Sequence, residues 1–471
     1  MSPHKILIVR LPCKKVYPIG PIYLMGLLKR AAPQISQRLL DLALVESNQR
    51  TTVLRETIRK YSPDVIAFSW RDIQVFSPHD VDMAMRDAFI FFHETSPIRW
   101  IEAAFKGLGH ILSYHSGIAE NLKLIQKAVN FSPSSTIAVG GPSIRVFGER
   151  FRSKLSRGVH LFPESNLESF FQLIGLPMPK DPIEPELDLE SIETSFPEWA
   201  SYRKEVIGIQ TKQGCPHACL YCLYGFLEGK EIRRRDPDKV VQEIDAYHRR
   251  WGIRTFWFAD AQLLSEAKDH EHLSVILKGL LDKRLAIEWS GYLRVNTLDR
   301  AMGDLMVRTG LYDLEVSLNS GSQTVLNQLH MGFSVEEVIK GCEILKTAGY
   351  SKKVLINLSL NAPGESRETL KETIEVMHRI RRIFGEGRVV PVIFFLGIQP
   401  NTGLERKALQ DGLIDAGYDP LSTNPWDLRK LIYNPPPLGK LIGRCCAQAF
   451  RRMDGNAGDR ILACLEEELK N

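Results

Sequence analysis

The chain has 471 residues, of which 44% are hydrophobic and 25% charged. That balance suits two or three soluble globular domains and excludes a disordered chain. Lys and Arg outnumber Asp and Glu by 61 to 56, a net charge of +5, too small an excess to argue a nucleic-acid partner. No run approaches the roughly 18 apolar residues of a transmembrane helix, and the opening MSPHKILIVRLPCKK lacks the apolar core and cleavage site of a signal peptide. A cytoplasmic protein with no membrane span is therefore expected. The eight cysteines are Cys13, Cys215, Cys219, Cys222, Cys342, Cys445, Cys446 and Cys464. In a long intracellular chain, clustered thiols point to a metal or to catalysis rather than to structural disulfides.

The chain opens with a strand at Lys5–Arg10, followed by a helix around Gly20–Leu28 with a proline near its start. Apolar runs at Leu39–Leu44, Asp64–Trp70 and Thr136–Gly141 read as buried parallel strands. Strands alternating with helices predict a βαβ sheet whose ligands sit at the carboxyl ends of the strands. Between Arg71 and Asn130 lies an aromatic-rich insertion, including Phe89, Phe91, Phe92, Trp100 and Phe105, whose spacing favours a helical core face. Residues 176–202 carry repeated prolines and the acids Asp181, Glu184, Glu186, Asp188, Glu190 and Glu193, a composition suited to a surface linker. A second β/α series follows, with strands expected at Val206–Thr211, Thr255–Phe258, Ala286–Tyr292, Asp313–Leu318, Val354–Leu360 and Val389–Leu396. Helices fall between them, such as Pro237–Arg250 and Val335–Ala348. This series predicts a partial (β/α)6 barrel with its chemistry on the loops after the strands. The expected organisation is thus α/β: a Rossmann-like domain over 1–175, a linker over 176–202, a barrel over 203–400 and a mainly helical region over 401–471.

Cys215, Cys219 and Cys222 form C-x3-C-x2-C directly after the first strand of the second series. Three thiolates on one loop can hold three irons of a [4Fe–4S] cluster and leave the fourth iron open to a cosubstrate. The rival readings are a zinc site, a redox thiol pair and chance. A zinc site would need a fourth ligand from His217, His248 or the distant Cys342.

At this loop the sequence resembles the radical S-adenosylmethionine (SAM) superfamily. The resemblance extends through Arg233-Arg234-Arg235-Asp236-Pro237, Phe256-Trp257-Phe258-Ala259-Asp260, Tyr292-Leu293-Arg294-Val295-Asn296, Ser317-Leu318-Asn319-Ser320-Gly321-Ser322-Gln323 and Asn361-Ala362-Pro363-Gly364-Glu365, covering residues 203–400. It implies a [4Fe–4S] cluster on the three cysteines and SAM on the open iron. Tyr221 stands where the family commonly has an aromatic residue. Arg294 and Asn319 would lie near SAM, and Asp260 near its amino group; the bland reading of Arg294 and Asp260 is a barrel-mouth ion pair. Asn319 replaces the family's usual Glu, and Ala261 replaces a second acid.

The first domain resembles the cobalamin-binding domain that precedes the barrel in one branch of the superfamily. The matching stretches are Pro18-Ile19-Gly20-Pro21-Ile22-Tyr23-Leu24, Ser62-Pro63-Asp64-Val65-Ile66-Ala67-Phe68-Ser69 and Val139-Gly140-Gly141-Pro142. The resemblance implies cobalamin over the strand ends, with Gly140 and Gly141 permitting close backbone approach. No D-x-H-x-x-G supplies a lower cobalt ligand, and Leu161-Phe162-Pro163-Glu164-Ser165-Asn166 replaces the family's acidic stretch. Cys13, Cys342, Cys445, Cys446 and Cys464 are expected to be buried packing residues. A methylthio-transferring enzyme is disfavoured because only Cys13 lies in the first domain.

The resemblance implies an enzyme that cleaves SAM reductively to a 5′-deoxyadenosyl radical, then methylates, rearranges or cyclises an unactivated carbon of a small-molecule substrate. An electron donor such as a flavodoxin or ferredoxin is implied as a partner. As a whole chain the sequence is similar to a cyanobacterial group of radical SAM proteins linked to high-light acclimation of photosystem II. The rival from another class is a non-catalytic, redox-sensing iron–sulfur factor in photosystem acclimation or assembly.

Overall fold

The structure, a computed structural model, describes residues 3–71, 83–164, 167–422, 427, 430–452 and 457–470. Part of the aromatic insertion (72–82) and the pair Ser165 and Asn166 lie outside the described residues. The first unit is built on a parallel sheet of β1 (Lys5–Arg10), β2 (Ser36–Asp41), β3 (Val65–Ser69), β4 (Thr136–Gly140) and β5 (Val159–Leu161), in the order β2-β1-β3-β4-β5. The central strands are apolar throughout because helices cover both faces: Ile8 pairs in register with Leu39 on one side and Ala67 on the other, and all are buried. Strand order reverses between β1 and β3, which creates a crevice at the carboxyl ends of the sheet.

The insertion forms two helices, Met83–His93 and Pro97–Phe131. The longer one corrects the expectation of a simple core face. Ala103 and Ile111 are buried, but Ile98, Ile101, Phe105, Leu108 and Leu112 point outward, with Phe105 73% exposed. The helix is apolar on two faces, and the fold covers only one.

The segment 176–202 is likewise not a loose linker. Leu189–Ser195 is a helix and Pro197–Tyr202 a 3-10 turn, and Leu189, Ile192, Phe196, Trp199 and Tyr202 are buried between the two units. Several of its acids are engaged: Asp188 pairs with Lys29 of the first unit, and Glu193 with Arg250 of the second. Trp199 stacks on Trp251 at 4.0 Å. The apolar residues spaced between the acids supply burial that a composition average hides.

The second unit starts with β6 (Ile207–Ile209) and a short hairpin of β7 (Lys212–Gln213) and β8 (Arg233–Arg234). Its other strands are β9 (Thr255–Phe258), β10 (Glu288–Gly291), β11 (Leu314–Asn319), β12 (Val354–Ser359) and β13 (Val389–Phe394). They form two parallel three-stranded sheets, β10-β9-β6 and β11-β12-β13. Bridges at Trp289–Leu311 and Leu293–Val316 join β10 to β11, so six strands follow chain order around an open barrel. Helices such as Pro237–Trp251, with Asp236 as its N-cap and Gly252 at its C-terminus, cover the outside.

The C-terminal region is helical, with Leu438–Ala449 packed on Ala457–Glu468. Here Cys445 and Cys464 face each other across the hairpin as a disulfide, which corrects their reading as packing thiols, while Cys446 and Cys342 are buried. Cys13 is half-buried rather than buried. Among the described residues no helix is long and apolar enough to cross a membrane.

Candidate functional site

The cysteine loop is held at its neck by the β7–β8 hairpin. Gly214 sits at φ +97, and a Cβ there would lie 2.0 Å from the Glu231 carbonyl oxygen, so the loop closes only on glycine. Inside the loop Cys215 N–H donates to Gly229 O (3.0 Å) and Cys222 N–H to Cys219 O (3.1 Å). Leu220 ties the loop to the barrel rim, donating to Leu329 O and accepting from Leu404 N–H. Leu223 anchors the other side in the core of the first unit, and Phe226 O accepts Arg145 Nε. The loop therefore lies between the two units, at the carboxyl end of β6.

Cys215, Cys219 and Cys222 are free thiols, one buried and two half-buried. Burial raises all three, Cys222 to about 12, and each of the other two cysteines pushes Cys222 further in the same direction, so the three lie within electrostatic reach. Among the described residues no three or more His, Cys, Asp or Glu converge as on one ion. The ligands of an iron–sulfur cluster each meet a different iron, and three thiols on one loop fit that donor set.

Arg294 follows β10 and turns toward this loop. Its guanidinium donates to Met331 O and lies 4.9 Å over the Phe333 ring, and its backbone N–H donates to Gln262 Oε1 at 2.9 Å. Burial lowers its pKa, while Cys219, Cys215 and Tyr221 act on it in the opposite sense. Tyr221 Oη donates to Asn319 Oδ1 at 2.8 Å. Asn319 ends β11 at φ +65, a left-handed conformation that asparagine tolerates better than the glutamate usual here in the family. The loop after β6, the segment after β10 and the end of β11 thus bring the cysteines, Tyr221, Arg294 and Asn319 together.

Asp260 does not join them. It is 1% exposed and accepts from Thr211 N–H (2.7 Å), Lys212 N–H (3.1 Å) and the Thr211 hydroxyl. Burial pushes its pKa up to about 6 against those hydrogen bonds. It pins the chain between β6 and the loop, and no Asp260–Arg294 ion pair occurs among the described residues. The alternative of a barrel-mouth ion pair is thereby removed, because the nearer backbone amides claim the carboxylate. Gly140 and Gly141 lie at the end of β4 in the first unit. A Cβ on Gly140 would meet only Phe162 Cβ at 3.8 Å, whereas one on Gly141 (φ +104) would sit 2.6 Å from Trp70 O.

Several residues of the site carried no readable signal. Lys212 and Asp269 form a buried ion pair behind the loop, extended by Arg234. Glu228 accepts Gly214 N–H, and burial pushes it up to about 7. His217 Nε2 and Ser322 Oγ are buried without a hydrogen-bond partner, and burial lowers His217 to about 4. Arg234 and Ser322 stood in the stretches that carry the resemblance and His217 inside the cysteine motif, but nothing marked Lys212, Asp269 or Glu228.

Residues 209–377 match the Radical SAM superfamily. An uncharacterized methyltransferase of Pyrococcus horikoshii is 24% identical over 172 residues, covering 36% of this chain and 36% of the relative. The anaerobic magnesium-protoporphyrin IX monomethyl ester cyclase of Cereibacter sphaeroides is 25% identical over 197 residues, covering 40% of this chain and 31% of the relative. The chain thus spans about a third of the length of these curated relatives. Among solved structures, the radical SAM methyltransferase TsrM of Kitasatospora setae, with cobalamin and a [4Fe–4S] cluster bound, aligns at TM-score 0.65 and 15% identity, over 88% of this chain and 80% of that one. The cobalamin-dependent radical SAM enzyme OxsB, with aqua-cobalamin and SAM bound, aligns at TM-score 0.59 and 12% identity, over 99% of this chain and 71% of that one. The fold is therefore shared with TsrM and OxsB, and the stretch that matches the Radical SAM superfamily is the barrel with its three-cysteine loop after the first strand.

Proposed function

We propose that this chain is a radical SAM enzyme that holds a [4Fe–4S] cluster on Cys215, Cys219 and Cys222 and cleaves SAM reductively. The observation that carries the reading is the convergence of Tyr221, Arg294 and Asn319 on a three-cysteine loop at the carboxyl end of β6. When bound, the cluster supplies one electron for splitting the sulfonium carbon–sulfur bond, giving methionine and the 5′-deoxyadenosyl radical. Burial of the loop between the units keeps bulk water from that radical. Arg294 places a positive charge beside Cys219 and Cys215, offsetting the negative charge of thiolate ligands. Tyr221 and Asn319 brace each other on the barrel side, where the carboxamide of Asn319 and the unpartnered Ser322 hydroxyl can meet polar groups of SAM. Asp260 acts on the site only by fixing Thr211 and Lys212.

The first unit, residues 1–175 with the packed segment 176–202, would place cobalamin at the carboxyl ends of its strands, where Gly140 leaves an open face. Cobalamin when bound supplies a methyl carrier. The support is the shared architecture with TsrM and OxsB. The outcome is methylation, rearrangement or cyclisation of an unactivated carbon. Similarity to the magnesium-protoporphyrin cyclases supports a tetrapyrrole or another photosynthesis-related substrate, in a cytoplasmic protein served by a flavodoxin or ferredoxin. Methylthio transfer, the activity of other relatives, is disfavoured because Cys13 is the only thiol before Cys215.

The test is anaerobic reconstitution with iron and sulfide, reduction by dithionite and chromatography for 5′-deoxyadenosine from SAM. Wild-type protein is expected to form it, and Cys219→Ala to lose both the cluster absorbance and the product. A fully reconstituted protein that forms none would return the chain to the non-catalytic, redox-sensing reading. Visible spectra after corrin addition test the first unit separately.

A further inference from the structure

Alternate residues on the barrel strands fall into two sets. Phe258, Trp289, Val316 and Ile356 are buried under the outer helices, and Trp289 Nε1 donates to Thr309 Oγ1 in that layer. The intervening residues Trp257, Tyr292, Glu315, Asn357 and Phe394 face the barrel interior and stay only half-buried, so the lumen is not filled by its own side chains. Leu293 bridges Val316, which sets Tyr292 beside Glu315, and the Asn357 side chain on the next strand favours the charged form of Glu315. The Trp257 and Tyr292 rings meet edge to face at 5.2 Å, and Tyr292 meets Tyr224 of the cysteine loop at 6.2 Å. One wall thus runs from the cysteine loop to Glu315.

Glu315 has no cationic partner among the described residues, and Asp313, just before the strand, adds a second negative charge within electrostatic reach. A desolvated carboxylate without a cation is costly, and the fold keeps one at the end of an aromatic wall. We propose that the barrel interior recognises a substrate bearing an ammonium group, seated on Glu315 and Asn357, with its adjoining apolar or aromatic face against Trp257 and Tyr292. Carboxylate and ring faces together are the chemistry that holds organic cations. The inference rests on the radical SAM reading and adds to it that the substrate carries an amine.

The experiment is calorimetric titration of reconstituted, SAM-bound protein with phenethylammonium and with its neutral counterpart 2-phenylethanol. The ammonium is expected to bind saturably and the alcohol about tenfold or more weaker, and Glu315→Gln to weaken ammonium binding by about tenfold. Trp257→Leu is expected to weaken it as well, and circular dichroism of both variants monitors folding. Equal binding of the two probes, no binding by either, or an unchanged affinity in folded Glu315→Gln overturns the proposal. Formation of 5′-deoxyadenosine by wild-type protein without probe tests the underlying reading independently. Its absence alongside selective ammonium binding would sink that reading and leave the cation site standing.

Discussion

Asp260 shows how a single carboxylate can be occupied by the fold. Its three hydrogen bonds all go to Thr211 and Lys212, and two of their donors are buried backbone amides. Asp260→Ala is expected to destabilise the cofactor-free protein by about 2–4 kcal/mol, because those amides lose their acceptor. Urea unfolding in the absence of SAM measures this, and an unchanged midpoint would show that the carboxylate is held for a ligand instead. Glu365, in the loop after β12, is a second case. Burial pushes it up to about 7, against hydrogen bonding by Thr369. A carboxyl raised in the folded state binds its proton more tightly there than in the unfolded chain, so its contribution is fully present below about pH 4.5 and is lost as pH rises through about 7. Glu365→Gln should therefore match wild type at low pH and exceed it above neutrality, on the order of 2 kcal/mol after allowing for partial exposure. Thermal unfolding across that pH window tests the sign; a variant less stable than wild type at pH 8 would contradict it. Neither assignment was legible in the sequence. Asp260 stood in a family motif, but whether it meets a ligand, Arg294 or the backbone depends on which donor lies nearest after folding.

Gly141 marks the tightest point in the first unit's sheet. It stands at φ +104 between β4 and the helix Pro142–Arg152, where an added Cβ would lie 2.6 Å from Trp70 O. Gly141→Ala combines a strained backbone with a clash against a main-chain atom, and a loss of about 2–4 kcal/mol is expected. Gly140→Ala, where an added Cβ would meet only Phe162 Cβ at 3.8 Å, should cost far less, and chemical denaturation of the pair separates them. Elements of this kind were largely readable. Strands from Lys5–Arg10 to Val389–Phe394 were marked by continuous or alternating apolar runs, and Pro237–Trp251 by its caps. The failures have a common cause. In Leu189–Ser195 two acids alternate with the two apolar residues that decide burial, and in Pro97–Phe131 the apolar residues line two faces while the fold covers one. Composition and period report what a segment could bury, not what it meets.

At the scale of the whole molecule, Arg235 joins the two units. Its guanidinium donates to Tyr23 Oη of the first unit and Gln210 O of the second at 2.8 Å, and pairs with Glu243 of a barrel helix and Glu184 of the connecting segment. Arg235→Met is expected to cost about 3–5 kcal/mol, since it leaves two buried carboxylates without their cation. It should also split a single unfolding transition into two, visible by calorimetry; one unshifted transition would show that the apolar contacts alone couple the units. The sequence by itself determined the order of the parts: a βαβ sheet, a three-cysteine loop after the first strand of a second β/α series, and a helical end. These are short-range properties, set by the period of helices and strands and by ligand spacing within one loop. Tertiary structure alone decided that Asp260 serves the backbone, that Tyr221 meets Asn319, that Cys445 faces Cys464, and that Tyr292 stands beside Glu315 inside the barrel. Each joins residues distant in the chain, and such pairings exist only once burial has brought their elements together and removed the water that would otherwise satisfy them.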